Sequence, residues 1–416
     1  MSASPEDSPE DRAAGLDGLR VLIVIDRVED VGGAEGSTTL LLRGLHEHGV
    51  PVAAVGLDGV NIVDRDRLVG EGVQFFQPPG AGLLPEVRCV LGAIREAQPT
   101  LIHSTLARSD MAARIAGRIA GVPVMTSIVN VPYGREANAL AASRWKLEAY
   151  RMIDGFLGRH ATFRFHSISA ASADEAVRAL RIKRERITIV PRGRSDQKLG
   201  RATPARRRQM REELGIPDEA FVLVNVARED VQKGQTCLVE TLAAANRACD
   251  QPVHLVGAGR RGSASDELDR RFTHADLDHL VHRLGVRTDI PDVLSAGDIF
   301  VFPSYHEGLG GALLEALAME LPIVTFDDPA IREAVGDAGV VVPMRDCSAF
   351  AAATTTLLAN PTRRAQLAAQ GRARFEACFT NGRYISAMLS LYATVWSAAR
   401  CDYRDPLRFV LRSQPR

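Results

Sequence analysis

Short apolar runs alternate with helix-period stretches along almost the whole chain. Leu19–Ile25, Pro51–Val55, Val73–Phe76, Thr100–His103, Pro123–Ile128, Arg164–Ile168 and Ile187–Pro191 are near-continuous apolar runs bounded by turn residues, which predicts buried strands. Between them Leu40, Leu41 and Leu45 recur at helical spacing, and helices are predicted over Leu84–Ala97, Ala107–Ala120 and about Ala137–Met152, the last carrying Trp145. The alternation then restarts. Strands are predicted at Ala220–Val226, Val253–Val256, Leu280–Leu284, Asp298–Pro303, Leu321–Thr325 and Val340–Val342, with a helix from Gly234 to about Arg247 and C-terminal helices to about Ala399. Strands that alternate with helices, buried on both faces, predict parallel sheets. Two such series in tandem predict an α/β chain of two Rossmann-like, doubly wound domains facing a cleft.

The expected division is a disordered tail over 1–17, a first domain over 18–195, a second over 196–382, and a last helix and tail over 383–416. The tail is polar, acidic and rich in Ser and Pro, too poor in apolar surface to fold. The 416 residues suffice for two domains of ordinary size. Formal net charge is zero, which implies no polyanion partner and no nucleic acid. There is no apolar run long enough to span a bilayer and no signal-peptide pattern, and the six cysteines are scattered without a C-x-x-C pair. These features predict a cytoplasmic protein with reduced thiols. One segment departs from the even charge balance. Gly193–Arg211 holds Arg194, Lys198, Arg201, Arg206, Arg207, Arg208 and Arg211. It is read as the interdomain linker and the following helix, either a solvated basic face or a contact with the anionic inner face of the cell membrane.

The densest candidate chemistry lies in Ser304-Tyr305-His306-Glu307-Gly308-Leu309-Gly310-Gly311, followed by a helix carrying Glu315. Here a carboxylate sits at a strand's C-terminal end beside a glycine-opened helix, where open α/β sheets bind ligands. A second loop, Ala227 to Gly234, puts Arg228 and Lys233 just past another strand end, a pair of cations able to clamp a diphosphate without metal. A third loop, Gly32-Gly33-Ala34-Glu35, follows the first strand. The literal G-x-G-x-x-G at Gly257–Gly262 is not read as a dinucleotide fingerprint. It lies outside its domain's first βαβ unit, and no acidic residue ends the next strand. His274, His279 and His282 lack the helix pattern or cysteine partners of a zinc site, so no metal is expected.

The spacing from Glu307 to Glu315 resembles the E-x7-E signature of group 1 (family 4) retaining glycosyltransferases, and Arg228 to Gly234 resembles that family's R-x4-K-G segment. Val256-Gly257-Ala258-Gly259 is similar to its V-G-x-G turn, and the Gly32-Gly33 loop to its GGAE loop. The resemblance covers roughly Leu19 to Ser397 and implies the GT-B fold. It implies transfer of a sugar from a nucleotide-diphosphate donor to an acceptor hydroxyl with retention, without metal or other cofactor, in polysaccharide, glycolipid or glycoconjugate synthesis. Carried over residue by residue, Glu307 holds the transferred sugar and Glu315 the ribose. Arg228, Lys233, Gly32 and Gly33 face the diphosphate, and Gly257, Gly308, Leu309 and Gly310 line the donor. The last helix, about Arg383 to Ser397, returns to the first domain. On the acceptor side His103 and Asn130 are the candidates, His103 being either cleft-facing or a buried, hydrogen-bonded histidine. Two departures stand out. Val129-Asn130 occupies the place of a family histidine, and Arg192-Gly193-Arg194 replaces Asn-Gly-Val. They keep two alternatives open, a donor-binding protein without transfer activity and a nucleotide-sugar epimerase.

Overall fold

The computed structural model describes residues 15–30, 33–130, 133 and 144–402. The chain divides into two compact units, one comprising residues up to Pro191 together with Gly382 onward, the other Arg192–Asn381. Each is built on its own parallel sheet.

The first unit contains β1 (Val21–Ile25), β2 (Val28–Glu29), β3 (Val52–Gly56), β4 (Val60–Asn61), β5 (Gln74–Phe76), β6 (Leu101–Thr105), β7 (Val124–Ile128), β8 (Arg164–Ser167) and β9 (Ile187–Ile189). Its main sheet runs β5-β3-β1-β6-β7-β8-β9, while β2 and β4 form a separate two-stranded ribbon. All pairings are parallel, as buried apolar strands joined by helices require. β1 shows how the pleat divides the core. Val21, Ile23 and Ile25 join Leu41, Leu42 and Leu45 of the helix Ala34–Glu47 on one face. Leu22 and Val24 join the helices Leu83–Ala97 and Ala107–Ala120 on the other. The long helix Asn381–Asp402 completes the first of these faces with Tyr384, Met388, Tyr392 and Val395. The expected helix around Ala137–Met152 falls partly outside the described residues. What is described is Arg144–Ala161.

The second unit contains β10 (Phe221–Val226), β11 (Val253–Ala258), β12 (Val281–Arg283), β13 (Ile299–Phe302), β14 (Ile323–Phe326) and β15 (Gly339–Val342). Their order is β12-β11-β10-β13-β14-β15, in sequence terms 3-2-1-4-5-6, the doubly wound arrangement. The order reverses between β10 and β13, which pair directly. In doubly wound sheets the loops leaving the two strands at such a reversal border the ligand-binding crevice. Here they are the loops that carry Arg228, Lys233 and Glu307.

The basic segment is divided: Lys198, Arg201 and Arg208 are exposed, while Arg206, Arg207 and Arg211 are drawn into ion pairs. It forms the helices Asp196–Leu199 and Pro204–Leu214, and most of its charge is matched inside the second unit. Arg206 pairs with Asp292 at 2.6 Å, and Arg207 and Arg211 both pair with Asp298 at 2.7 and 2.9 Å. Arg211 is only 1% exposed and donates further to the carbonyls of Ala296, Pro217, Asp218 and Ala220. Acids 86 to 91 residues downstream neutralise these three arginines, which local charge counting does not register. Among the described residues no helix is long and apolar enough to cross a membrane.

Candidate active site

The two crevice loops of the second unit are zipped together. The Tyr305 amide donates to the Gln232 carbonyl at 2.9 Å, and the Gln232 side-chain amide donates to the His306 carbonyl at 2.7 Å. Gly234 adopts φ +62°, and a Cβ there would run into the Pro303 carbonyl and the Tyr305 ring. A glycine is therefore needed both for the backbone conformation and for the close approach of the loops. This contact brings Lys233 Nζ to 2.5 Å from Glu307 Oε1, with both side chains largely buried. Ser304 Oγ donates to the same oxygen at 2.8 Å. The predicted diphosphate cation and the predicted sugar-holding carboxylate thus form one pair across the point where strand order reverses.

Behind this pair begins the helix Gly311–Ala318, whose first turn has no side-chain cap. Its first two amides, of Gly311 and Ala312, have no partner within the helix, while the Leu313 amide donates to the Gly310 carbonyl at 2.9 Å. Leu309 is buried at 3% exposure, so only its backbone is available to a ligand. Glu315 lies one turn in. Its Oε1 accepts from Arg194 Nε at 2.8 Å. Arg194 itself is anchored by backbone hydrogen bonds, its amide to Phe379 and its carbonyl from Asn381. Its guanidinium also fills the space a Cβ on Gly311 would need. Gly311 therefore makes room for Arg194, where the sequence had suggested room for a ligand.

Arg228 is half exposed and pairs with Asp230 at 2.7 Å. Its loop is braced from below by Glu229, whose carboxylate takes Arg283 Nε at 2.8 Å and Ser265 Oγ at 2.5 Å. Burial pushes the Glu229 carboxyl up, but Arg283 and Ser265 outweigh it and hold the group below its ordinary range. Gly257 and Gly259 differ in why they are glycines. Gly257 is a strand residue of β11, and a Cβ there would meet nothing closer than 4.0 Å. Gly259 is the residue whose φ of +155° and contact with the Ala227 carbonyl exclude any side chain. Gly33 precedes the helix Ala34–Glu47 and is exposed, and Gly32 lies outside the described residues.

His103 resolves to its buried alternative. β6 runs on to Thr105, so the histidine is mid-strand and 2% exposed. Its ring joins a chain of hydrogen bonds: Tyr392 Oη to His103 Nδ1 at 2.5 Å, His103 Nε2 to Ser127 Oγ at 2.7 Å, Ser127 Oγ to His166 Nδ1 at 2.7 Å, and His166 Nε2 to the Val190 carbonyl at 2.8 Å. A carbonyl only accepts, so His166 Nε2 carries a proton. With both rings neutral, the remaining protons follow: Ser127 donates to His166, His103 donates to Ser127, and Tyr392 donates to His103. Burial, reinforced by His166, pushes the His103 pKa down to about 3, which keeps that ring neutral. The network ties the last helix to the sheet and leaves no ring nitrogen for a ligand. Asn130 is exposed just beyond β7. Of the three linked histidines, His282 sits beside His254, ring nitrogens 3.1 Å apart.

The sequence carries no sign of the roles of Gln232 and Ser304 in joining the two loops. Arg194 stands out there only through the Arg192-Gly193-Arg194 replacement, with no sign of its pairing with Glu315.

Comparison with known proteins agrees with this geometry. A family model described as "Glycosyl transferases group 1" matches residues 220–360, and one described as "Glycosyl transferase 4-like domain" matches residues 32–193. Among curated relatives, the alpha-D-kanosaminyltransferase of Streptomyces kanamyceticus is 28% identical over 261 residues, 61% of this chain and 66% of that protein. The D-inositol 3-phosphate glycosyltransferase of Geodermatophilus obscurus is 32% identical over 220 residues, 50% of this chain and 47% of its own length. The chain thus aligns with about half to two-thirds of these relatives. The crystal structure of Anabaena HepE in complex with UDP-glucose superposes with a TM-score of 0.76 at 19% identity, covering 91% of this chain and all of that one. This likeness places the fold in the GT-B class.

Proposed function

The chain belongs to the group 1 glycosyltransferases, and we propose that it transfers a sugar from a nucleotide-diphosphate donor to an acceptor hydroxyl, with retention at the anomeric carbon and without a metal. The observation that carries this reading is the Lys233–Glu307 pair at the switch point, beside the uncapped helix Gly311–Ala318. In this reading the donor lies on the second unit. Glu307 Oε1 is taken by Lys233 and Ser304, leaving Oε2 to accept from a sugar hydroxyl. Glu315 is similarly divided, with Oε1 on Arg194 and Oε2 for a ribose hydroxyl. As the bond from anomeric carbon to phosphate oxygen breaks, negative charge grows on the leaving diphosphate. Lys233, Arg228 and the leading helix amides are placed to stabilise it. The departing phosphate oxygen takes the acceptor's proton. The donor's nucleobase and sugar follow from this reading only as a class. UDP-glucose, bound by HepE, is the first donor to try.

The two glutamates separate the roles. The ribose does not change during transfer, so Glu315→Ala raises the Michaelis constant for the donor by roughly tenfold and leaves turnover nearly intact. Glu307 meets the sugar whose shape and charge change, so Glu307→Ala lowers turnover by on the order of 100-fold. Free UDP binds Glu307→Ala as it binds the wild type and binds Glu315→Ala poorly. Full turnover in Glu307→Ala would break the assignment. Proton NMR of the first product formed reads the anomeric configuration directly, and an inverted product would end the retaining reading.

A further inference from the structure

The first unit encloses a cavity of about 220 Å³ beyond the C-terminal ends of β6 and β7. Leu106, Ile128, Val129 and Phe165 give it apolar walls, and Asn130 stands at its edge. Asp110, in the first turn of the helix Ala107–Ala120, lines it. Asp110 is 7% exposed, and its Oδ1 is buried without a hydrogen-bond partner.

The neighbouring charges do not compensate this carboxylate. Arg114 is committed to Asp154, to which it donates directly, and its nearest nitrogen stays 4.0 Å from Asp110 Oδ2, outside hydrogen-bond range. Asp154 is completed by the Tyr133 hydroxyl at 2.7 Å. The cluster of Asp110, Arg114 and Asp154 therefore holds two acids against one base, and the surplus acid is the one facing the cavity. Burial drives the Asp110 carboxyl up to about 7, with Arg114 and Ser104 pulling it back only part of the way. A buried carboxylate without a matched counter-charge is costly, and among the described residues only the Ser104 hydroxyl and Arg114, 4.0 Å away, offset it. A ligand ammonium at the accessible edge of the Asp110 side chain would supply the counter-charge that the cluster lacks.

We propose that this cavity is a binding site for the ammonium group of a compact, hydroxylated amine of about monosaccharide size, held by Asp110 with Asn130 at the rim. Naming that ligand as the sugar acceptor rests on the transferase reading above. The amine preference of the cavity does not.

The test uses the full chain and two pairs of probes equal in size, glucosamine against glucose and galactosamine against galactose, titrated at pH 7 by ligand-observed NMR. The expected result is binding of at least one amino sugar tenfold or more tighter than its hydroxyl twin. Asp110→Asn, nearly isosteric, abolishes that preference while UDP binding stays at its wild-type value, which also shows the variant to be folded. Equal affinities within both pairs, or an amine preference that survives in Asp110→Asn, would overturn the proposal. Failure of UDP to bind the wild type would count against the transferase reading and leave the amine result standing. Addition of UDP-sugar to the preferred amine then shows whether it is also the acceptor, through appearance of a glycosylated product.

Discussion

The crevice of the second unit and the cavity of the first handle charge in opposite ways. In the crevice every named charge is already matched: Lys233 with Glu307, Arg194 with Glu315, Arg228 with Asp230. In the cavity Asp110 has no partner for its inner oxygen. A matched pair fixes side-chain geometry before a ligand arrives, so a diphosphate sugar bound as proposed would meet positions that need little reorganisation. An unmatched buried acid carries a cost that protonation or a cationic ligand relieves, so the cavity is less stable where the acid is ionised. The proposed donor site is organised by its own charges, and the acid of the cavity lacks a matched counter-charge.

The sharpest way to break this contrast is to unpair the crevice. Lys233→Ala removes the cation proposed to face the leaving phosphate and leaves Glu307 Oε1 with Ser304 alone. Turnover is expected to fall by roughly 100- to 1000-fold, with loss of UDP-sugar affinity measured alongside by calorimetry. Wild-type turnover in this variant would remove Lys233 from the mechanism.

A smaller effect tests how the pair is held. Gly234→Ala places a methyl against the Pro303 carbonyl in a left-handed backbone, and is expected to destabilise the protein by about 1–3 kcal/mol while lowering activity below the level that residual folded protein accounts for. Denaturant melts combined with active-site titration separate the two losses. An unchanged melt would mean the loops can part without cost.

The cavity gives a prediction in pH. The Asp110 carboxyl is raised from 3.8 to about 7 in the folded protein. Between those values the folded state holds more protons than the unfolded, so this group's contribution to stability falls as pH rises through the window. Asp110→Asn removes the decline. The variant should melt close to the wild type near pH 4 and above it at pH 8, by about 2–4 °C for each kcal/mol recovered. His103 acts with the opposite sign. Its pKa is lowered from 6.5 to about 3, so the unfolded state holds more protons in that window and stability falls as pH drops through it. A difference between variant and wild type that shrinks with rising pH would contradict the unmatched acid.

The smallest expected effect concerns the arginines of Pro204–Leu214. With Arg206, Arg207 and Arg211 paired internally, vesicles of anionic lipid at low salt should retain little of the protein. Strong retention that collapses with salt would show that the remaining basic side chains suffice for a surface contact.

Much of this was written in the local sequence. The alternation of apolar runs and helical periods is a short-range property, so the strands of both sheets could be placed to within a few residues. Glu307, Lys233 and Gly234 were visible because strand-end loops at a switch point hold ligand-facing side chains in any doubly wound sheet. What sequence could not decide was which charges meet. Arg211 finds Asp298, Arg194 finds Glu315 and His103 finds Tyr392 across separations of 87, 121 and 289 residues. Side-chain pairing over such distances depends on how strands and helices stack, and no local pattern records it. The same holds for Asp110. In sequence it is one acid in an amphipathic helix. Only the packing of Arg114 against Asp154 leaves it without a matched counter-charge, because one guanidinium buried between two carboxylates is within hydrogen-bond range of only one of them.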